Sequence, residues 1–349
     1  MAINLYSLTL EELTETITAW GEKAFRAKQI WEWMYKNFAI DFAEMSNLPQ
    51  SLRERLQAET TLGVLTLDTE QISRDGTHKR LYRLADGQMI ESVLMAYEDD
   101  RRTACISTQA GCAMGCVFCA TGQMGFVRHL TTAEIFEQVV RFARELDSQG
   151  ERLSNVVLMG MGEPFHNYDN SLASIRRMIN DLGIGARHIT VSTVGIVPKI
   201  YQFADEGLQV RLAISLHNAS DAGRSALLPV NRRWKLEGLI DACQYYVEKT
   251  GRRVTFEWAL IDGQTDTEEQ AHALGRLLRG LMCHVNAIPL NPTAGYGGGA
   301  SDVAVVERFK QILEGDYNVP TTIRVRRGID IDAGCGQLKS KVIRLNEIQ

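Results

Sequence analysis

The segment Gly111-Cys-Ala-Met-Gly-Cys-Val-Phe-Cys119 sets three thiols close together in a 349-residue chain that holds seven cysteines. Thiolates are soft ligands that select iron–sulfur clusters, zinc or copper. Three arrangements compete for Cys112, Cys116 and Cys119. Their i, i+4, i+7 spacing is that of one helix face, but Gly111 and Gly115 make a poor helix. A structural zinc wants four ligands, and the chain has no second C-x-x-C pair to complete the set. A four-iron cluster normally takes four thiolates. With three, one iron keeps an open position that a substrate can occupy.

Two further thiols stand outside this motif. Cys335 sits in Gly328-Ile-Asp-Ile-Asp-Ala-Gly-Cys-Gly-Gln-Leu338, where small neighbours leave a sulfur accessible, as a reactive thiol requires. Cys105 lies just upstream of the cluster motif. Composition alone reads both as inert buried cysteines. Gly160-Met-Gly-Glu-Pro164 reads as a strand-to-helix turn, or as a place where backbone groups approach a ligand. His217, in Ser215-Leu-His217, reads as a strand-end or core histidine without a catalytic role.

These residues need a scaffold. The first ~60 residues read as helical, opened by a Thr9-x-x-Glu12 capping box. Residues 63–97 look like an antiparallel meander, with Asp75-Gly76 and Asp86-Gly87 as hairpin turns. Beyond it, strand candidates at Thr103–Thr108, Asn155–Met159, His188–Thr193, Gln209–Leu216, Arg253–Leu260, His284–Leu290 and Thr321–Val325 alternate with helical stretches. One helix starts at the Thr131-x-x-Glu134 cap, and another covers Glu268–Leu281. Buried strands alternating with helices imply a parallel sheet or barrel. Six or seven units are too few for a complete eight-stranded barrel. The expected fold is therefore α/β: a partial open barrel, with a small N-terminal helical domain over 1–62, a short β linker over 63–98 and the barrel over 99–349. The cysteine motif falls at the C-terminal end of the first barrel strand, where ligand sites of such folds lie.

Bulk properties narrow the classes. Hydrophobic residues make up 45% of the chain, enough for a large core. No apolar run reaches a membrane span, and the N-terminus lacks the pattern of a secretory signal. A cytoplasmic location is expected, where clustered cysteines more often bind metal than form disulfides. The net charge of −5 gives no overall attraction to nucleic acid. Local basic stretches offset this: Lys23, Arg26, Lys28 and Lys36; Arg232, Arg233 and Lys235; and a tail with Arg324, Arg326, Arg327, Lys339, Lys341 and Arg344. Each is read as a solvated face or an RNA contact.

The C-x3-C-x2-C spacing, with an aromatic before the last cysteine, resembles the radical S-adenosylmethionine superfamily. Taken with Gly160-Met-Gly-Glu-Pro164, Ser215-Leu-His217 and the Cys335-Gly-Gln-Leu338 tail, the chain resembles the bacterial dual-specificity RNA adenine methyltransferases along nearly its whole length. That resemblance implies an open (β/α)6 barrel and a [4Fe-4S] cluster on Cys112, Cys116 and Cys119. It implies two S-adenosylmethionines per turnover, with Gly162 and Glu163 holding the amino-acid part. Ser192, Ser215, Leu216, His217 and Asn291 match further contact positions. The substrate implied is adenosine in 23S rRNA and tRNA, modified at carbon 2; a related resistance-type enzyme modifies carbon 8. Cys335 would carry the methyl group, Cys105 would resolve the adduct through a disulfide, and Glu91 would accept the ring proton. An external electron donor of the reduced flavodoxin or ferredoxin type and a monomeric state are expected with it. A zinc-bound RNA-binding module without catalysis is the alternative of another class.

Overall fold

The structure, a computed structural model, describes residues 2–339; Lys341 and Arg344 of the basic tail lie outside the described residues. The N-terminal unit is a helical cap. Strand β1 (Ile3–Asn4) pairs in parallel with β2 (Thr60–Thr61), closing a loop that carries helices α1 (Leu10–Ala19), α2 (Phe25–Tyr35) and α3 (Gln50–Glu59). The Thr9 side chain accepts from Glu12 N–H while the Glu12 carboxylate accepts from Thr9 N–H, so the expected capping box forms. Ile30, Met34 and Tyr35 of α2 face inward, whereas Phe25 is exposed.

The meander consists of β3 (Thr66–Ile72), β4 (His78–Arg83) and β5 (Met89–Ala96), paired antiparallel. Its turns place Gly76 at φ +76° and Gly87 at φ +85°, conformations that favour glycine. Strand β6 (Arg102–Cys105) pairs antiparallel with β5 on one side and parallel with β9 (Asn155–Leu158) on the other. The meander is thus continuous with the barrel sheet. Between β6 and β9 lie the short hairpin of β7 (Gln109–Gly111) and β8 (Phe126–His129), the one-turn helix α4 (Ala120–Met124) and the long helix α5 (Thr132–Ser148). The expected Thr131–Glu134 box caps α5.

Strand–helix units then follow in order: α6 (Tyr168–Asn180), β10 (Ile189–Thr193), α7 (Val197–Asp205), β11 (Arg211–Ser215), α8 (Asp221–Leu227), α9 (Leu236–Thr250), β12 (Val254–Leu260), α10 (Glu268–Leu277), β13 (Cys283–Pro289), α11 (Val303–Tyr317) and β14 (Thr321–Ile323). Within the main sheet, β6 and β9 to β14 pair only in parallel with one another. The sheet order β14-β13-β12-β11-β10-β9-β6-β5-β4-β3 leaves β14 and β3 as unjoined edges. This is the open barrel expected, with six β/α units and a terminal strand. One apolar core runs without a break from Leu13 and Ile17 of α1 to Trp258 of β12 and Leu338.

The helical cap is seated on the barrel by buried polar groups. Arg177 of α6 donates to the Tyr6 carbonyl and the Tyr35 hydroxyl, with its guanidinium 4.4 Å from the Phe136 ring centroid. The buried Glu137 carboxylate of α5 accepts from Val64 and Leu65 N–H at 2.7 and 3.1 Å. No helix among the described residues is long and apolar enough to cross a membrane.

Candidate active site

The cysteine motif forms an irregular loop between β7 and α4, not a helix face. Its path requires glycine: Gly111 has φ +73°, and a Cβ there would stand 2.1 Å from the Gly125 carbonyl oxygen. Cys112 N–H donates to that same carbonyl at 2.8 Å. Burial pushes the Cys112 thiol up to about 12 and raises Cys116 and Cys119 as well. Buried thiols of this kind become thiolates only when a metal displaces their protons.

The three sulfurs do not all lie within 4.8 Å of one another. A tetrahedral zinc with sulfurs at ~2.3 Å gathers them to within about 3.8 Å of one another. Among the described residues, the only trio of His, Cys, Asp or Glu ligand atoms mutually within 4.8 Å is Glu70, His78 and Glu145. That separation leaves room for a multi-iron cluster between the sulfurs.

Cys112, Cys116 and Cys119 line a cavity of about 1000 Å³ at the C-terminal ends of the parallel strands, together with Gly162, Glu163, Ser192, Ser215, His217 and Asn291. Leu216 does not line it; that side chain is fully buried, and its carbonyl accepts from Arg224 Nε. Gly162, at φ +104°, would bring a Cβ to 2.6 Å from Gln109 Cβ. Its neighbour Glu163 donates its N–H to Gln109 Oε1 at 2.8 Å, and its carboxylate accepts from Phe165 and Val194 N–H at 2.9 and 2.8 Å. Burial nevertheless pushes Glu163 up to about 7. An amino group arriving at this carboxylate would restore its charge.

His217 is held at φ +58°, and its Nδ1 accepts from Ala259 N–H at 2.9 Å. Burial lowers it to about 3, so the ring stays neutral with its proton on Nε2. Asn291 donates from Nδ2 to the Cys335 carbonyl at 3.1 Å, while its buried Oδ1 has no protein partner. An unsatisfied acceptor on a cavity wall suits a hydrogen-bonding ligand. Spread thiols, a glycine cradle, a carboxylate needing a cation and an orphan amide oxygen together fit a cluster with S-adenosylmethionine.

A second cavity of about 760 Å³ adjoins the first and is lined by Cys105, Cys335, Val93, Tyr97, Arg324 and Arg327, among others. Cys335 lines both cavities. It is exposed, as its small neighbours suggested, whereas Cys105 is half-buried. Burial, and then the Cys335 sulfur, push Cys105 up to about 12, while Arg324 opposes the shift. Cys105 therefore rests as an unreactive thiol beside an arginine able to stabilise its thiolate.

Glu91 lines neither cavity. It is 4% exposed; its Oε2 accepts from Lys339 N–H at 2.8 Å, and Oε1 lies 3.6 Å from Lys79 Nζ. Arg326 and Arg327 line the thiol cavity, whereas Arg26 is partly spent on Gln29 and the Asn47 carbonyl. Sequence reasoning missed Gln109 and Arg224. The fully buried Arg224 donates to the carbonyls of Val194, Ser215 and Leu216, fastening the β10 and β11 ends that carry Ser192 and Ser215. An arginine in the short helix α8 gives no local sign of this.

A parallel open barrel with cluster-spaced thiols at its strand C-termini defines a radical S-adenosylmethionine enzyme, and residues 106–274 match the Radical SAM superfamily. Residues 3–62 match the Ribosomal RNA large subunit methyltransferase N-terminal domain. The chain is 54% identical to the dual-specificity RNA methyltransferase RlmN 1 of Myxococcus xanthus, over 98% of this chain and 95% of that protein. It is 48% identical to a probable RlmN of Geobacillus kaustophilus, over 97% of this chain and 93% of that protein. The crystal structure of a radical SAM methyltransferase from Sphaerobacter thermophilus superposes with a TM-score of 0.94 at 50% identity, covering 97% of this chain and 99% of that one. The chain belongs to the RlmN family of radical S-adenosylmethionine RNA methyltransferases.

Proposed function

We propose that this enzyme methylates carbon 2 of adenosine in 23S rRNA and tRNA through a methyl group carried on Cys335. The observation that carries this reading is the position of Cys335 on the walls of both cavities, with Cys105 on the wall of the second. Carbon 2 of adenine lies between two ring nitrogens and is electron-poor. It does not attack a methyl sulfonium as an amine would, so a radical route and a protein-bound carbon are needed.

Cys112, Cys116 and Cys119 are assigned to a [4Fe-4S] cluster, and Gly162, Glu163, Ser192, Ser215, His217 and Asn291, with Leu216 buried beneath that wall to support them from the core, to S-adenosylmethionine. Bound together, these groups supply a 5′-deoxyadenosyl radical. Cys335 first takes a methyl group onto its sulfur in the cofactor cavity. The methyl group on that sulfur gives up one hydrogen atom to the deoxyadenosyl radical, and its carbon then adds to the base held in the thiol cavity; the base sheds its ring proton and returns one electron to the cluster. A base within structured RNA must be extruded to reach it. Arg326, Arg327 and the exposed Lys23 and Lys28 are assigned to phosphate contacts. Glu91 accepts the ring proton, since β5 presents it on the same strand face as the cavity-lining Val93 and Met95. Cys105 attacks the Cys335 sulfur; a disulfide forms as the carbon–sulfur bond breaks, and the carbon keeps the bonding pair and takes up a proton to complete the methyl group as the base leaves. Each turnover so written consumes two S-adenosylmethionines and external electrons, from a reduced flavodoxin or ferredoxin. A monomer in a reducing cytoplasm suits this thiol chemistry.

Nucleoside mass spectrometry on RNA treated with reconstituted enzyme tests the reading. The expected product is 2-methyladenosine; 8-methyladenosine as the main product, or methylation that survives Cys335→Ala, overturns it.

A further inference from the structure

Lys79 lies within the meander and is 3% exposed. A lysine is seldom buried unless its ammonium has partners. Here the ammonium lies 3.6 Å from Glu91 Oε1 and 3.4 Å from the Asp332 carbonyl. In the β4–β5 register Lys79 faces Val93 and Glu91 faces Leu81, so the two are diagonal neighbours on one sheet face. Val93 in turn faces Cys105, which places Lys79 in the row of residues that leads to that thiol.

The partners of this pair bracket one segment. Asp332 precedes Cys335, and Lys339, whose N–H donates to Glu91 Oε2, follows it. The hairpin turn next to Lys79 adds outer ties. Asp330 accepts from Ser73 Oγ at 2.5 Å and Arg74 N–H at 3.2 Å, and Asp75 accepts from Gly328 N–H at 2.9 Å. The other side of the segment rests on the start of α4, directly after the cluster motif. Ala120 N–H donates to the Gly336 carbonyl at 2.7 Å and Thr121 Oγ1 to the Leu338 carbonyl at 2.6 Å.

We infer that the buried Lys79–Glu91 pair is a latch that grips the Cys335 segment on both sides of its thiol and aims that thiol between the two cavities. The inference rests on the proposed function and deepens it, since Cys335 has to serve the two cavities in turn. The grip is built to release. Good charge-assisted N–H···O bonds span ~2.7–2.9 Å, and both Lys79 contacts are longer. Glu91 must also let go of Lys339 before its carboxylate can take a proton from the base, which couples movement of the segment to the proton step. Lys79 and Asp330 are positioning residues in this scheme.

The test uses reconstituted holoenzyme bearing Lys79→Met or Lys79→Arg, with iron content and thermal midpoint as folding checks. One readout is the rate of Cys335 alkylation by N-ethylmaleimide, followed by peptide mass spectrometry against the core thiol Cys243. The other is the ratio of methylated adenosine to 5′-deoxyadenosine formed. Cys335 is exposed even in the gripped segment, so Lys79→Met is expected to speed its alkylation by only about twofold, as the loosened segment frees the sulfur from the cavity walls. It should lower the product ratio by ~tenfold, as misaimed reacting groups do. Lys79→Arg should restore most of both.

Should Lys79→Met fail to fold, Asp330→Asn loosens the exposed outer tie and is expected to shift both readouts the same way, the product ratio by about twofold. Alkylation and product ratio matching wild type in a folded variant would overturn the latch. Alkylation is read without RNA, so a wild-type enzyme that makes no methylated adenosine sinks the proposed function and leaves the latch to the thiol readout.

Discussion

The cofactor cavity takes most of its walls from the C-terminal ends of consecutive parallel strands, whereas the thiol cavity shares a few of those strand residues, such as Met159 and Ile288, and adds the meander, β6 and the C-terminal segment. In the first, backbone geometry sets the shape: Gly111 and Gly162 adopt positive φ where a Cβ would collide, and Arg224 ties carbonyls of neighbouring strand ends. In the second, side chains hold backbone from distant sequence, as the Asp75 carboxylate accepts from Gly328 N–H across 253 positions. A rigid cradle suits a cofactor that binds in one pose. A tethered segment suits a thiol that must work on two sides.

The comparison breaks first at Cys335. Cys335→Ala is expected to abolish RNA methylation while 5′-deoxyadenosine formation persists, because the cofactor cavity keeps its own thiols. Loss of both products together, in a variant with a full iron complement, would show that the cavities are not separable in this way.

Gly162→Ala probes the rigid cradle. The alanine inherits a φ of +104° and meets Gln109, so strain of ~1–3 kcal/mol falls on the cofactor turn. S-adenosylmethionine affinity should weaken by about tenfold or more, while alkylation of Cys335 stays near wild type. Isothermal titration and thiol labelling separate the two. A change in Cys335 reactivity as large as the loss of affinity would contradict the division.

Glu163 supplies a pH test of the same cavity. Burial raises this carboxyl to about 7, so near neutral pH a proton competes with the cationic amino group of the cofactor. Affinity should be full above pH 7 and fall by up to about tenfold per pH unit below it, as protonated Glu163 loses its attraction. In Glu163→Gln the affinity should be weaker and this slope absent. A slope unchanged by that substitution would remove Glu163 from the amino-group site.

The smallest effect is expected at the mouth of the thiol cavity. Arg326→Gln with Arg327→Gln should lower RNA affinity and reduce its salt slope by about 0.7 for each phosphate no longer neutralised. Cofactor binding should not move. An unchanged salt slope would remove these arginines from the RNA path.

The two regions also differ in how far their sequence reveals them. The barrel strands are legible as short apolar runs, because parallel strands buried on both faces leave that signature. The capping boxes at Thr9 and Thr131 and the turns at Gly76 and Gly87 are legible for a like reason: each is a local interaction with a local pattern. The cluster loop and Gly160-Met-Gly-Glu-Pro164 are contiguous and stand out in the same way. The short β7–β8 hairpin carries no such signature, since three and four residues bounded by glycines fall below the length at which alternation shows.

What escapes is made by distance. Nothing near Lys79 or Asp330 in sequence marks them as partners of the Cys335 segment, and Gln109 looks like any strand glutamine until Gly162 packs on it. The meander reads locally as a linker, yet its pairing to β6 makes it one wall of the thiol cavity. Leu216 and Glu91 mark the converse limit. Motif position alone does not reveal that Leu216 points into the core or that Glu91 grips the Lys339 backbone.

The central claim is that one carbon passes through Cys335 on its way to adenine. Reconstituted enzyme given methyl-labelled S-adenosylmethionine and a reductant, first without RNA and then with it, tests this directly by mass spectrometry of the Cys335 peptide and of the nucleosides. Label is expected on Cys335 before RNA is added, and in 2-methyladenosine afterwards, with a matching loss from the peptide. Labelled 2-methyladenosine formed without label ever reaching Cys335 would contradict the claim.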